Sequence, residues 1–281
     1  MSRLAVLALL MLALGPAGAA VRVEGLVERP GEQPLAPGDR LLDALLPARV
    51  RADAYLLGAA WLHQAEIPAQ RDLKTGILFE LGVLERLAVM GDEPERAELF
   101  HRLAEQVLAA PVSGRRANSL DPLRLETRPG DNRLLGEGDR LLFPPRPRHV
   151  RVTGAVRADC SLPFLGLRPA TAYLHDCPRH IAADPDWLYV IQPDGQVSRL
   201  GVAAWNRAPD QPLAPGAVLY VPLDGSLLEG LAKDLNRELA RFIATQPLPL
   251  DGATEDNDET SGLSVDCPLC RTDTGNDPGP D

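Results

Sequence analysis

Residues 21–27 read VRVEGLV, and residues 150–156 read VRVTGAV. One phrase spelled twice constrains the chain more than its composition does, because both copies should fold locally in the same way. Alternate valines build a strand, and the glycine inside the run marks a bulge or a close backbone approach. The first copy leads through the turn-rich PGEQPLAPGD to LLDALL at 41–46, spaced as a short helix. The second leads through a loop with Cys160 and Pro163 to TAYLHDC at 171–177, a matching short helix. The copies also close alike: GEGDRLLFPP at 136–145 and APGAVLYVPL at 214–223 each set a glycine-centred turn before a short apolar strand that ends at proline. Matched openings and closings predict two related domains, 21–147 and 148–223.

The middles differ. In the second copy WLYVIQPDGQVSRLGVAAW gives strand, Asp194-Gly195 turn, strand, a hairpin signal. In the first copy Leu73, Ile77, Leu81, Leu84 and Leu87 fall at helical spacing between Ala69 and Met90. Asp92 then stands three before Glu95 in a capping-box arrangement, and a second helix from about Pro94 to Ala110 carries Leu99, Leu103 and Val107 on one face. Residues 66–112 read as a helical hairpin inserted into the first domain, with membership in that domain's core as the alternative.

The two ends are distinctive. Met1-Ser2-Arg3, an apolar run from Leu4 to Leu14 and small residues to Ala20 have the layout of a cleaved signal peptide over 1–20. Eleven helical residues cover roughly 17 Å, too little for a hydrocarbon core of about 30 Å. The mature chain is thus expected in an oxidising, periplasmic space. Near the other end, residues 226–245 place Leu228, Leu231, Leu235, Leu239 and Phe242 on one stripe, with charges elsewhere. The plain reading is an amphipathic helix, in a segment 224–245, packed on the two domains; the sharper one is a docking helix for a partner or a membrane. Membrane contact is expected nowhere else.

Most of the net charge of -10 sits in the last 35 residues, which hold nine acids and one arginine. The body is close to neutral, which argues against a nucleic-acid partner. The acidic tail, 246–281, has too few apolar residues to offset the cost of ordering and is expected to be disordered.

Four cysteines in an exported chain suggest disulfides. Cys160 and Cys177, 17 positions apart in one domain, are expected to pair and to close a loop worth roughly 3 kcal/mol. Cys267 and Cys270 form a CPLC in the tail, where an inert local disulfide or reduced thiols fit better than a redox or zinc site. His175, Cys177 and His180 crowd together in HDCPRH, but pairing of Cys177 removes its thiolate, so no metal is expected. His63, His101 and His149 are scattered. No GxSxG, HExxH or phosphate-binding glycine loop occurs, so neither a catalytic residue nor a cofactor is assigned. Carboxylate pairs that meet only in space keep a glycan-cleaving enzyme as the rival reading.

Ser113-Gly114-Arg115-Arg116 follows the second inserted helix. Arg115 and Arg116 are candidates for holding an acidic sugar or a partner carboxylate through forked hydrogen bonds; the alternative is that they tie down a turn. Trp61 and Trp187, on strands, serve either as sugar platforms or as core.

In this order, VRVEGLVERPG, AYLLGAAWLHQAEIPAQRDLKTGILFEL, GEGDRLLFPPRP and WLYVIQPDGQVSRLGVAAWN resemble the capsule-biosynthesis GfcC family across most of 21–245. The resemblance implies an α+β chain of two β-grasp domains similar to the SLBB repeats of Wza-type polysaccharide exporters, the first with a helical insertion, followed by a C-terminal amphipathic helix. It further implies a non-enzymatic role in making or exporting a surface polysaccharide, with the polymer or outer-membrane export proteins as partners. The chain departs from the exporters in lacking a ring-forming export segment and a lipid-attachment cysteine. A structural protein that oligomerises through 226–245 is the third reading.

Overall fold

The computed structural model describes residues 19–209 and 211–251. The expected signal peptide, apart from its last two residues, and the tail pair Cys267 and Cys270 lie outside the described residues.

The first unit runs β1 (Ala20–Gly25), β2 (Gly31–Pro34), α1 (Leu41–Ala48), β3 (Ala60–Leu62), α2 (Ile67–Met90), α3 (Pro94–Ala109), β4 (Arg115–Arg116), α4 (Pro122–Thr127) and β5 (Arg140–Phe143). The second runs β6 (His149–Gly154), β7 (Cys160–Pro163), α5 (Ala170–Asp176), β8 (Trp187–Ile191), β9 (Val197–Gly201) and β10 (Val218–Val221), and α6 (Gly225–Leu228) and α7 (Leu235–Ala244) follow. The sheets are ordered β2-β1-β5-β3-β4 and β7-β6-β10-β8-β9, so each unit has the same topology around a central parallel pair. The chain is α+β, with two β-grasp sheets.

The repeated phrase has one physical meaning in both places. Gly25 and Gly154 end their strands at φ 90° and 101°, beside Phe143 and Val221 of the parallel partner. A Cβ there would lie 2.1 Å from the carbonyl oxygen of Phe143 or 2.3 Å from that of Val221, closer than any side chain tolerates. The next residue then donates to that same carbonyl, Leu26 to Phe143 and Ala155 to Val221, each at 2.8 Å.

The near faces are packed alike. In the first unit Val21, Val23, Trp61, Leu141 and Phe143 bury against Leu41 and Leu45 of α1 and Leu125 of α4. In the second, Val150, Val152, Leu188, Val190 and Leu219 bury with Tyr173 of α5. Trp61 is therefore core. Cys160 and Cys177 form a disulfide across this unit. Replacing both by serine is expected to cost about 3 kcal/mol, for the 17-residue separation, and to be read as a lower urea midpoint.

The far faces differ, and here the hairpin finds its place. Ile77, Leu81, Leu84, Leu99, Phe100, Leu103 and Val107 of α2 and α3 belong to the second unit's core, together with Tyr220 and α7. Arg102 on α3 also donates to the carbonyls of Val156 and Arg157. The insertion leaves the first sheet and roofs the second one. Its apolar spacing announces a buried stripe without saying which sheet receives it. Two local details change: Leu87 faces solvent, and Asp92 sits in the turn at φ 58° while α3 starts at Pro94 with no side-chain cap.

The single helix expected over 226–245 is two. α6 and α7 are separated at Gly230, which has φ 79°. Leu228, Leu235, Leu239 and Phe242 are buried against the second sheet and the hairpin, while Leu231 in the break is 59% exposed. The stripe offered as a docking face is thus consumed by the core. Among the described residues no helix is long and apolar enough to cross a membrane. Nor are the tail's first six residues loose: 246–251 run back to the first unit, where Leu250 packs on Ala60, Leu62 and Leu142.

Candidate functional site

The two sheets, α7 and the returning segment line a cleft, and Ser113 and Arg115 are part of its wall. Gln70 of α2 fixes this turn by accepting from the Gly114 amide at 2.8 Å and donating to the Arg115 carbonyl at 2.8 Å. Gly114 has φ 73°, and a Cβ there would come within 2.8 Å of the His63 carbonyl oxygen. Both polar ends of a buried glutamine are thereby spent on holding two backbone groups.

Arg115 points inward from that turn. Its guanidinium donates to the carbonyls of Ala244 at 3.3 Å and Gln246 at 3.1 Å, at the end of α7, and to that of Pro193 in the β8–β9 hairpin. The Ser113 hydroxyl donates to the Thr245 carbonyl at 2.6 Å. Burial pushes the Arg115 pKa down to about 10, with Asp194 opposing the shift, so the group remains cationic at neutral pH. One side chain thus joins the first unit, the second unit and the terminal helix.

Arg116, next along the strand, faces the other way. Its guanidinium lies 5.2 Å from the Trp61 ring centroid and 3.7 Å from Glu66, partly open to solvent. The two arginines do not act as one fork.

Above Arg115 the cleft encloses about 790 Å³, lined by Gln64, Arg140, His149, Arg151, Gln192 and the segment ending at Asp251. Arg140 is neutralised by Glu24 through two hydrogen bonds of 2.8 and 3.1 Å, and Arg140 holds the Glu24 carboxyl below its ordinary range. Arg151 is different. Its Nε is buried with no hydrogen-bond partner among the described residues, and the side chain borders both this cleft and a second cavity of about 570 Å³ beneath α3 and α7. A cationic group left short of acceptors at the junction of two cavities suits an incoming carboxylate.

Beside Gln64 lies a polar network that the sequence did not disclose. Asp139 is buried and accepts from Trp61 Nε1 at 2.8 Å, from the Gly136 amide at 2.8 Å and from the Gln64 amide at 3.2 Å, with His63 Nδ1 at 2.9 Å. With all these partners the carboxylate is satisfied and locks β3 to the turn before β5. Its signal was a charge directly before an apolar strand; the second unit has Ala217 at the corresponding place.

His175 and His180 do not converge on a metal-like centre. His180 Nδ1 accepts from the Ala182 amide at 3.0 Å, and Cys177 is held in the disulfide. Among the described residues no group of three His, Cys, Asp or Glu side chains is placed to hold a metal ion.

The family described as capsule biosynthesis GfcC C-terminal matches residues 158–247, from just before β7 through α7 to the carbonyls that Arg115 holds. Over residues 158–247 the chain carries the GfcC family's C-terminal region. It is also similar to the uncharacterized protein YjbG of Escherichia coli (strain K12), with 28% identity over 195 residues, 69% of this chain and 79% of that protein. A role in capsule or polysaccharide assembly goes with that family. The disulfide and the family are both compatible with a place outside the cytoplasm.

Proposed function

We propose that this chain is a periplasmic accessory of capsule or exopolysaccharide assembly that works by recognition and makes or breaks no bond. Its cleft takes a carboxylate-bearing segment of an outer-membrane polysaccharide export partner. The observation that carries this reading is Arg151, a cation lacking an acceptor at Nε where two cavities meet. The planar guanidinium of Arg151 matches a carboxylate, which it can hold by forked hydrogen bonds. The paired β-grasp sheets supply rigid walls, and Arg115 keeps them together while taking no part in binding.

The test is a photo-cross-linking residue in place of Gln192, on the cleft wall, in cells that make the polymer. The expected result is an adduct with an outer-membrane export protein, reduced at least fivefold by Arg151→Gln. Polymer-producing cells that yield no adduct overturn the reading. Purified protein incubated with the native polysaccharide is expected to release no new reducing ends; chain shortening would favour the enzyme instead.

A further inference from the structure

A second surface, away from the cleft, is built around an exposed indole. Trp205, in the turn after β9, is 72% exposed. Trp187 meets it edge-on, with ring centroids 6.3 Å apart and an interplanar angle of 87°. Arg199 lies over the Trp187 ring, 3.7 Å from its centroid. One face of Trp187 is thus taken by a guanidinium, while Trp205 stays open to solvent.

The turn that presents Trp205 is fixed. Asn206 accepts from the Ala203 amide at 3.0 Å and donates to the Asp186 carbonyl at 3.0 Å, and the Val202 amide donates to that carbonyl at 2.9 Å. Gly201 lets the chain double back so closely that a Cβ would stand 2.1 Å from the Asn206 carbonyl oxygen. This local bonding fixes the position of an exposed indole, whose apolar face and N–H suit an interface.

Its chemistry is set by its neighbours. Arg199 also borders a groove of about 600 Å³ between the β8–β9 ribbon and the α6–α7 segment, lined by Lys233, Arg237 and Arg241 together with the carboxylates of Asp184, Glu229 and Asp234. Arg237 is paired with Asp234 at 3.0 Å. Among the described residues Arg199, Lys233 and Arg241 have no carboxylate within 4.0 Å. An open indole takes the C–H face of a pyranose ring, and an unpaired guanidinium takes a carboxylate by a forked contact.

We infer that Trp205 and Arg199 form a binding site for a uronate-bearing saccharide, the sugar ring on Trp205 and its carboxylate on Arg199, a guanidinium with no carboxylate partner among the described residues. This rests on the polysaccharide part of the proposed function and gives that polymer a chemical class.

The probe is hexagalacturonate, compared with its carboxyl-reduced galactose hexamer, titrated into the full chain by calorimetry and tryptophan fluorescence. The expected result is saturable binding of the charged hexamer, at least tenfold weaker in Trp205→Ala and partly kept in Trp205→Phe. Arg199→Gln is expected to abolish the preference for the charged over the neutral hexamer. The inference is overturned if the native chain does not bind hexagalacturonate at millimolar concentration, or if Trp205→Ala binds it as tightly while melting normally. An intact cross-link at position 192 without saccharide binding would sink this surface alone; saccharide binding without the cross-link would sink the cleft reading alone.

Discussion

Replacing Arg115 with methionine is expected to lower the thermal midpoint of the chain by about 10 °C, the larger of two substitution effects on stability that the architecture implies. Methionine fills similar space but donates no hydrogen bond, so the carbonyls of Pro193, Ala244 and Gln246 lose a charged partner at once. Each buried carbonyl left without its donor costs about 1–3 kcal/mol. In a chain of this size each kcal/mol shifts the midpoint by roughly 2–4 °C. Arg115→Lys is expected to recover less than half of the loss, because a point charge cannot reach carbonyls on two elements together. Differential scanning calorimetry checks the midpoint. Limited proteolysis checks the mechanism, since cleavage should appear first after α7, where the strap is released. A midpoint within 2 °C of the native one would show that these bonds are replaced by water without loss.

The second expected result concerns a residue of one unit acting on the other. Leu81→Ala in α2 is expected to destabilise by about 2–5 kcal/mol, the range for removing a large aliphatic side chain from a core that cannot collapse around the void. Leu81 is fully buried in the cluster that contains Tyr220, Leu235 and Leu239. Hydrogen exchange should therefore quicken in β8 and β10, which lie more than 100 positions further along the chain. Amides of β1 and β5, in the unit whose sequence surrounds the hairpin, should change least. If β1 and β5 were affected more strongly, the hairpin would belong energetically to the first unit.

Much of this was legible in sequence because it is local. The phrase ending at Gly25 and Gly154 requires a left-handed backbone beside a neighbouring strand, and a glycine within a valine run states that requirement in the chain itself. The short helices at 41–48 and 170–176 announce themselves by spacing for the same reason. What depends on the partner across the fold was hidden. Ile77 and Leu81 show that a stripe is buried but carry no address for it. Leu228 to Phe242 read as one amphipathic helix because periodicity passes through Gly230, whose positive φ divides it into two. Arg115 and Arg116 look alike as letters, and only the pleat of β4 sends one inward and the other onto Trp61. Trp205 lies in a stretch whose strands were recognised, yet its exposure is a tertiary fact. Asp139 sits in a turn motif where a charge is ordinary; its burial depends on Trp61 and His63 arriving from β3 and its end.

The roof contributed by α2 and α3 imposes an order of events on the newly made chain. Synthesis runs from the N-terminus, so residues 67–109 emerge well before the strands and α7 that cover their apolar side. Until residue 244 has been added, Ile77, Leu81 and Phe100 have no final resting place, and completing either half waits on segments distant in sequence. Such a chain matures as a whole, late and all together, and neither half can be expected to survive if expressed by itself.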